Sequence, residues 1–68
     1  MLIWLKHIRI IHNITQKEVA ARADITLRYY QMIEQGKYTP SIKIAKRIAE
    51  VLQFDWSIFY QEEQNEQN

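Results

Sequence analysis

Few side chains in this 68-residue sequence are equipped for chemistry, and their spacing narrows what they can do. His7 and His12 stand five apart, point to different faces of a helix and make no metal site. Cysteine is absent, which removes thiolate nucleophiles, disulfide frameworks and thiolate metal sites together. No glycine-rich phosphate loop occurs, and no pair of carboxylates is set in an evident pocket. The expectation is therefore no enzyme, no catalytic residue, no metal and no cofactor. What remains is polar recognition. The stretch "ITLRYYQMIEQGKYTPS", residues 25–41, sets Arg28 and Gln31 among Leu27, Tyr29, Tyr30 and Met32. Arginine and glutamine each present two hydrogen-bonding atoms to a planar partner.

The elements that must position these residues read as helices. There is one glycine and one proline, Gly36 and Pro40, and no run of alternating β-branched residues. Leu2, Leu5, Ile8 and His12 share one face of a first helix over about residues 2–12, which puts His12 half-buried on the inner stripe. Asn13 follows as its stop. Thr15 caps a second helix, with Glu18 three residues on completing a capping box, and Val19 and Ala20 face inward. Thr26 caps a third, ended near Gln35 by Gly36. Ser41 caps a fourth, along which Ile42, Ala45, Ile48, Ala49 and Leu52 recur at helical spacing. Asp55 caps a short fifth, "WSIFYQ". The fold class is thus all-α, a compact five-helix domain over residues 1–61. Residues 62–68, "EEQNEQN", hold three acids and no apolar group, and are expected to be a disordered tail.

Composition agrees with one small soluble domain, at 47% apolar and 25% charged residues. The opening "MLIWLKHIRII" is interrupted by Lys6, His7 and Arg9 and is shorter than the ~20 residues of a membrane span. Its charge order is also wrong for a signal peptide. A cytoplasmic protein with no membrane partner is expected. Residues 1–61 carry nine Lys/Arg against five acids, a net of +4 hidden by the overall +1. That balance is compatible with a polyanion without requiring one.

Ala20 is small where two helices cross, and three or four residues join the second helix to the third. This suits a helix-turn-helix, although any compact helical hairpin can look similar. The resemblance is more specific. "TQKEVAARADIT" followed by "MIEQGKYTPS", with Leu5, Arg9, Ala49 and Leu52 at matching places, resembles the lambda-repressor-like, Cro/repressor-type (XRE) helix-turn-helix family. The likeness runs from about Leu5 to Tyr60 without an internal gap. The run "YYQMIEQGK…PS…AKRIAEVLQFDWSIFY" is similar to small regulators of phages and mobile elements. Asn13 and Gln53 depart from the family by standing where many members have glycine, and Ile10 and Ile11 stand where relatives are often polar.

The resemblance implies a DNA-binding regulator, expected to act as a repressor and homodimer on double-stranded DNA. With Thr26 as cap, Tyr30 and Ile33 fall inward and Tyr29 on the edge. Leu27, Arg28, Gln31, Met32 and Gln35 form the outer face, expected to read bases. Arg28 suits guanine, Gln31 adenine, and Leu27 and Met32 the thymine methyl. A solvated helix face is the plainer reading of the same residues, and the resemblance favours base reading. It also implies phosphate contacts at Gln16, Lys17, Thr26, Lys37 and Tyr38, and a structural ion pair between Arg9 and Glu34. Phe54, Trp56, Ile58, Phe59 and Tyr60 exceed what a terminal helix needs and are expected to form the dimer surface, with some covering the domain's own core. Ile3, Trp4, Ile10 and Ile11 form an outer face on the first helix, which leaves a protein partner, as for an antitoxin or anti-repressor, as the other reading.

Overall fold

The computed structural model describes residues 1–61. The expectation of a disordered tail over 62–68 lies outside the described residues. Four α-helices follow in order: α1 (Ile3–Ile11), α2 (Gln16–Arg22), α3 (Leu27–Glu34) and α4 (Ile42–Leu52). The fifth expected helix is instead a single 3-10 segment, Trp56–Tyr60. Five residues give too few α-helical hydrogen bonds to offset their ordering, and the tighter turn is the usual outcome at that length. Among the described residues there is no strand, and no helix is long and apolar enough to cross a membrane.

The caps sit where the side chains dictate. Thr15 Oγ accepts from the Glu18 N–H, Thr26 Oγ from the Tyr29 N–H and Ser41 Oγ from the Ile44 N–H. Glu18 turns its carboxylate sideways to Arg22, one turn on at 2.6 Å, so the capping box is half made. Asp55 accepts from the Ser57 N–H and starts the terminal segment.

Leu5, Val19, Ala20, Ala23, Tyr30, Ile33, Ile48 and Leu52 form the buried core, drawn from all four helices. Ala20 and Ala23 are small where α2 meets α3, and the Ile25 N–H donates to the Ala20 carbonyl at 3.0 Å to close the turn. The N-terminus is tied to the end of α3, because the Leu2 N–H donates to the Glu34 carbonyl at 2.8 Å. Gly36 is left-handed (φ +82°), and the Met1 nitrogen lies 3.4 Å from where its Cβ would stand.

Two expectations about α1 are corrected. His12 is exposed, its ring Nδ1 lying 2.9 Å from the Ile8 carbonyl. His12 is the C-cap of α1, its N–H still on the Ile8 carbonyl at 3.1 Å, so the helical rotation reaches it, but at this last position the stripe has run past the buried core. Trp4 is half-buried rather than outward, packing edge-on against Phe54 and Phe59 with centroids 5.4 and 5.2 Å away. The outer face keeps Ile3, Ile10 and Ile11, the last 78% exposed.

Among the described residues, three other than glycine take left-handed backbone: Asn13, Asp24 and Gln53, at φ 58°, 60° and 59°. Asparagine and aspartate tolerate this region, while glutamine has no local hydrogen bond to offset it. Gln53 also caps α4, as glycine would. Gln53→Gly is expected to stabilise the fold by about 0.5–1 kcal/mol, raising the thermal midpoint a few degrees, as followed by circular dichroism.

Candidate nucleic-acid interface

The interface is organised by one buried carboxylate. Glu34, 3% exposed, closes α3 and accepts four hydrogen bonds from three parts of the chain. Arg9 of α1 grips it two-pronged, Nε to Oε2 at 3.0 Å and Nη2 to Oε1 at 3.1 Å. The Tyr30 hydroxyl donates to Oε2 at 2.7 Å, and the Gln16 amide donates to Oε1 at 3.0 Å. Arg9 also donates to the Ile14 carbonyl at 3.1 Å, which pins the α1–α2 turn. Burial pushes the Glu34 carboxyl up, but its hydrogen bonds from Arg9, Tyr30 and Gln16 outweigh that and hold it below the ordinary carboxylate value. Burial, then the adjacent carboxylate, pushes the Tyr30 phenol well up, which keeps it a donor.

This network reaches the outer face of α3. Gln16 opens α2, and its amide oxygen accepts from the Gln31 amide at 3.3 Å. Gln31 is therefore held at its far end by a residue anchored to Glu34. A side chain whose rotamer is fixed beforehand loses less entropy on meeting a base edge. Leu27, Arg28 and Gln35 stand exposed beside it, Leu27 at 38%, while Gln31 and Met32 are half-buried. The five residues expected on one face are thus brought together, with Gln31 fixed and Arg28 extending to solvent.

Residues expected at phosphates surround this face. Lys17, Thr26, Lys37 and Tyr38 are exposed at the start of α2, the start of α3 and the turn after α3. Gln16 differs, because its donor is held by Glu34 and its acceptor by Gln31. On α4, Lys46 lies over the Trp56 ring at 5.2 Å, a cation–π contact that ties the helix to the terminal segment. Among the described residues no cluster of three metal-capable side chains occurs.

The residues expected at a dimer surface are mostly engaged within the chain. Phe54 and Phe59 pack with Trp4 against the core, 5.6 Å from each other. Tyr60 donates its hydroxyl to the Pro40 carbonyl at 2.7 Å, and Trp56 stands edge-on to Tyr60. All five, with Ile58, remain half-buried.

Two features were missed in the sequence. Tyr30 and Glu34 are four apart, so their contact was available from helical spacing alone. The pairing of Tyr29 with Tyr38, ring centroids 6.0 Å apart, joins α3 to the turn beyond it and carries no local signal.

With this geometry in place, relatives can be compared. A helix-turn-helix family profile matches residues 5–59. The chain belongs to the Cro/repressor-type (XRE) helix-turn-helix family. YqaF, an uncharacterized HTH-type transcriptional regulator of Bacillus subtilis, is 48% identical over 63 residues, 93% of this chain and 83% of its own. An HTH-type transcriptional regulator of Methanocaldococcus jannaschii is 42% identical over 45 residues, 66% of this chain and 68% of its own. One of Archaeoglobus fulgidus is 40% identical over 47 residues, 69% and 66% respectively. No solved structure matches with significance. The family match covers both helices of the motif and the helices that brace them, from Leu5 to Phe59.

Proposed function

We propose that the protein is a sequence-specific transcriptional regulator, a repressor in the simplest case, that binds a pseudo-palindromic operator as a homodimer with α3 in the major groove. The observation that carries this reading is the outer face of α3, where Arg28 extends freely beside a Gln31 held through Gln16 to Glu34. Arg28 reads guanine, Gln31 adenine, and Leu27 and Met32 the thymine methyl, with Gln35 at the end of the helix. Lys17, Thr26, Lys37 and Tyr38 contact backbone phosphates and set the register, while Gln16 acts mainly by orienting Gln31. One such helix contacts few base pairs, so two copies on half-sites about one helical turn apart, ~34 Å, provide the needed affinity. The copies meet through the half-exposed Trp56, Ile58 and Tyr60, with Phe54 and Phe59 as backing.

A salt titration with simultaneous measurement of complex mass tests this. Two lysines per copy make four charged phosphate contacts per dimer. Log affinity should then fall against log salt with a slope of about −4, on a complex of two protein chains per duplex. A slope near zero, or one chain per duplex, contradicts the reading.

A second reading has its own observation. Ile3, Ile10 and Ile11 are exposed on one side of α1, two of them among the most exposed large apolar side chains of the domain. A patch of this kind suits a protein partner, and the fold would then serve as a docking module. Binding that survives loss of Arg28 and Gln31 but not Ile10→Lys would favour it.

A further inference from the structure

Most of α1 is committed inside the domain. Leu5 is fully buried, Arg9 grips Glu34, and Trp4 packs on Phe54 and Phe59. The remaining side carries Ile3, Lys6, His7 and Ile10, all exposed. Ile3 and Ile10 are open to nearly the same degree, 56% and 53%, and Ile11 widens one edge of the stripe. Both α1 and α3 turn their inner sides to one core, so this face stays free while the outer face of α3 meets a groove.

The stripe is nearly the same when followed from either end. Ile3 and Ile10 stand seven residues apart, two turns or ~10.5 Å along the axis and only about 20° around it. Lys6 and His7 lie at its middle, about 50° to either side. A two-fold axis through that middle would set Ile3 of each copy against Ile10 of the other. It would also bring His7 beside the second copy's His7 on one flank, and Lys6 beside its counterpart on the other. This is the condition of an isologous contact, in which residue i meets j and j meets i. No acid occurs in α1 to pair with Lys6, whose stem can cover the isoleucines while its ammonium stays in water.

The size of the face also bears on its occupant. Two nine-residue helices, each only about 13 Å long, bury far less than the ~1,600 Å² of a standard interface. Such a contact is weak between freely diffusing molecules and gains strength when its partners are already held close together. A second copy seated on the same DNA meets that requirement. We propose that the outer face of α1 is a weak self-docking surface, separate from the terminal segment, on which a second copy lays its own α1 antiparallel with Ile3 of each against Ile10 of the other. Its use between dimers on neighbouring sites rests on the operator-binding reading, whereas the pairing itself does not.

Single-cysteine variants test it, because the chain has no cysteine of its own. Ile3→Cys, His7→Cys and Ile10→Cys are oxidised in a glutathione buffer without DNA. Ala21→Cys, on the exposed side of α2, measures chance collision. His7→Cys should link to itself about tenfold or more above the Ala21→Cys level, since paired thiols meet at an effective concentration of mM or higher. Ile3→Cys and Ile10→Cys should stay near that level alone and link to one another when mixed. Adding Ile10→Lys to His7→Cys should abolish the link with the circular dichroism unchanged. Ile3→Cys linking to itself as readily as to Ile10→Cys overturns the antiparallel pairing. All variants at the Ala21→Cys level overturn the inference and leave base reading by α3 untouched. A His7→Cys thiol that stays unlinked, yet is shielded from a thiol reagent by a synthetic helix with glutamates beside a leucine seam, gives the face to an acidic partner and equally overturns it.

Discussion

Arg9→Ala should destabilise the fold by about 3–5 kcal/mol, because it strands the Glu34 carboxylate in a buried setting without its countercharge. A domain of this size has a total stability of only about 3–9 kcal/mol, so the variant should be largely unfolded or close to it at neutral pH. Arg9→Lys keeps the charge but loses the fork to two oxygens and should recover part of the deficit. Urea unfolding followed by circular dichroism measures both. The pH dependence carries the same signature. Glu34 titrates lower when folded than when unfolded, so its contribution is whole above about pH 4.5 and lost as pH falls toward the depressed folded value. Glu34→Gln should flatten that acid limb. An Arg9→Ala protein as stable as the parent would show that the network is decoration.

Arg28→Ala should produce the largest loss of function without loss of fold. The side chain is exposed, so unfolding should shift by no more than about 0.5 kcal/mol. A bidentate base contact is worth about 1–3 kcal/mol at each half-site, so a dimer should lose thirtyfold or more in operator affinity and relax its preference at that base pair. Gln31→Ala should act similarly at its own base, and the double change should leave only salt-sensitive, sequence-indifferent binding. Lys37→Ala offers the contrast, weakening all sequences alike and making the salt slope shallower. Fluorescence anisotropy on matched and mismatched duplexes separates these patterns. Operator affinity untouched by Arg28→Ala with Gln31→Ala would mean that the reading face lies elsewhere.

The caps and periods of this chain are local, and so they were legible. Thr15, Thr26, Ser41 and Asp55 each cap the element they were expected to cap, because a side-chain oxygen two or three residues before an N–H needs no tertiary help. The inward set of α3, Tyr30 and Ile33, followed from rotation alone. Where helices meet, rotation was not enough. Trp4 sits on the flank of α1, and only Phe54 and Phe59, fifty residues later, decide that it packs inward. His12 failed for another reason, because it stands at the very end of α1, where the inner stripe has run past the buried core. Gln16 carries two hydrogen bonds that span 18 and 15 residues, and nothing near it in sequence indicates them. The Tyr29–Tyr38 wall is of the same kind.

In-vitro selection of bound sequences from a random duplex pool tests most directly whether α3 reads bases. The expected result is an enriched inverted repeat with half-sites about one helical turn apart, ~34 Å, containing a guanine whose preference disappears in Arg28→Ala. A pool that emerges without enrichment, bound only weakly and released by modest salt, would contradict the account and move the search for a ligand to the apolar side of α1.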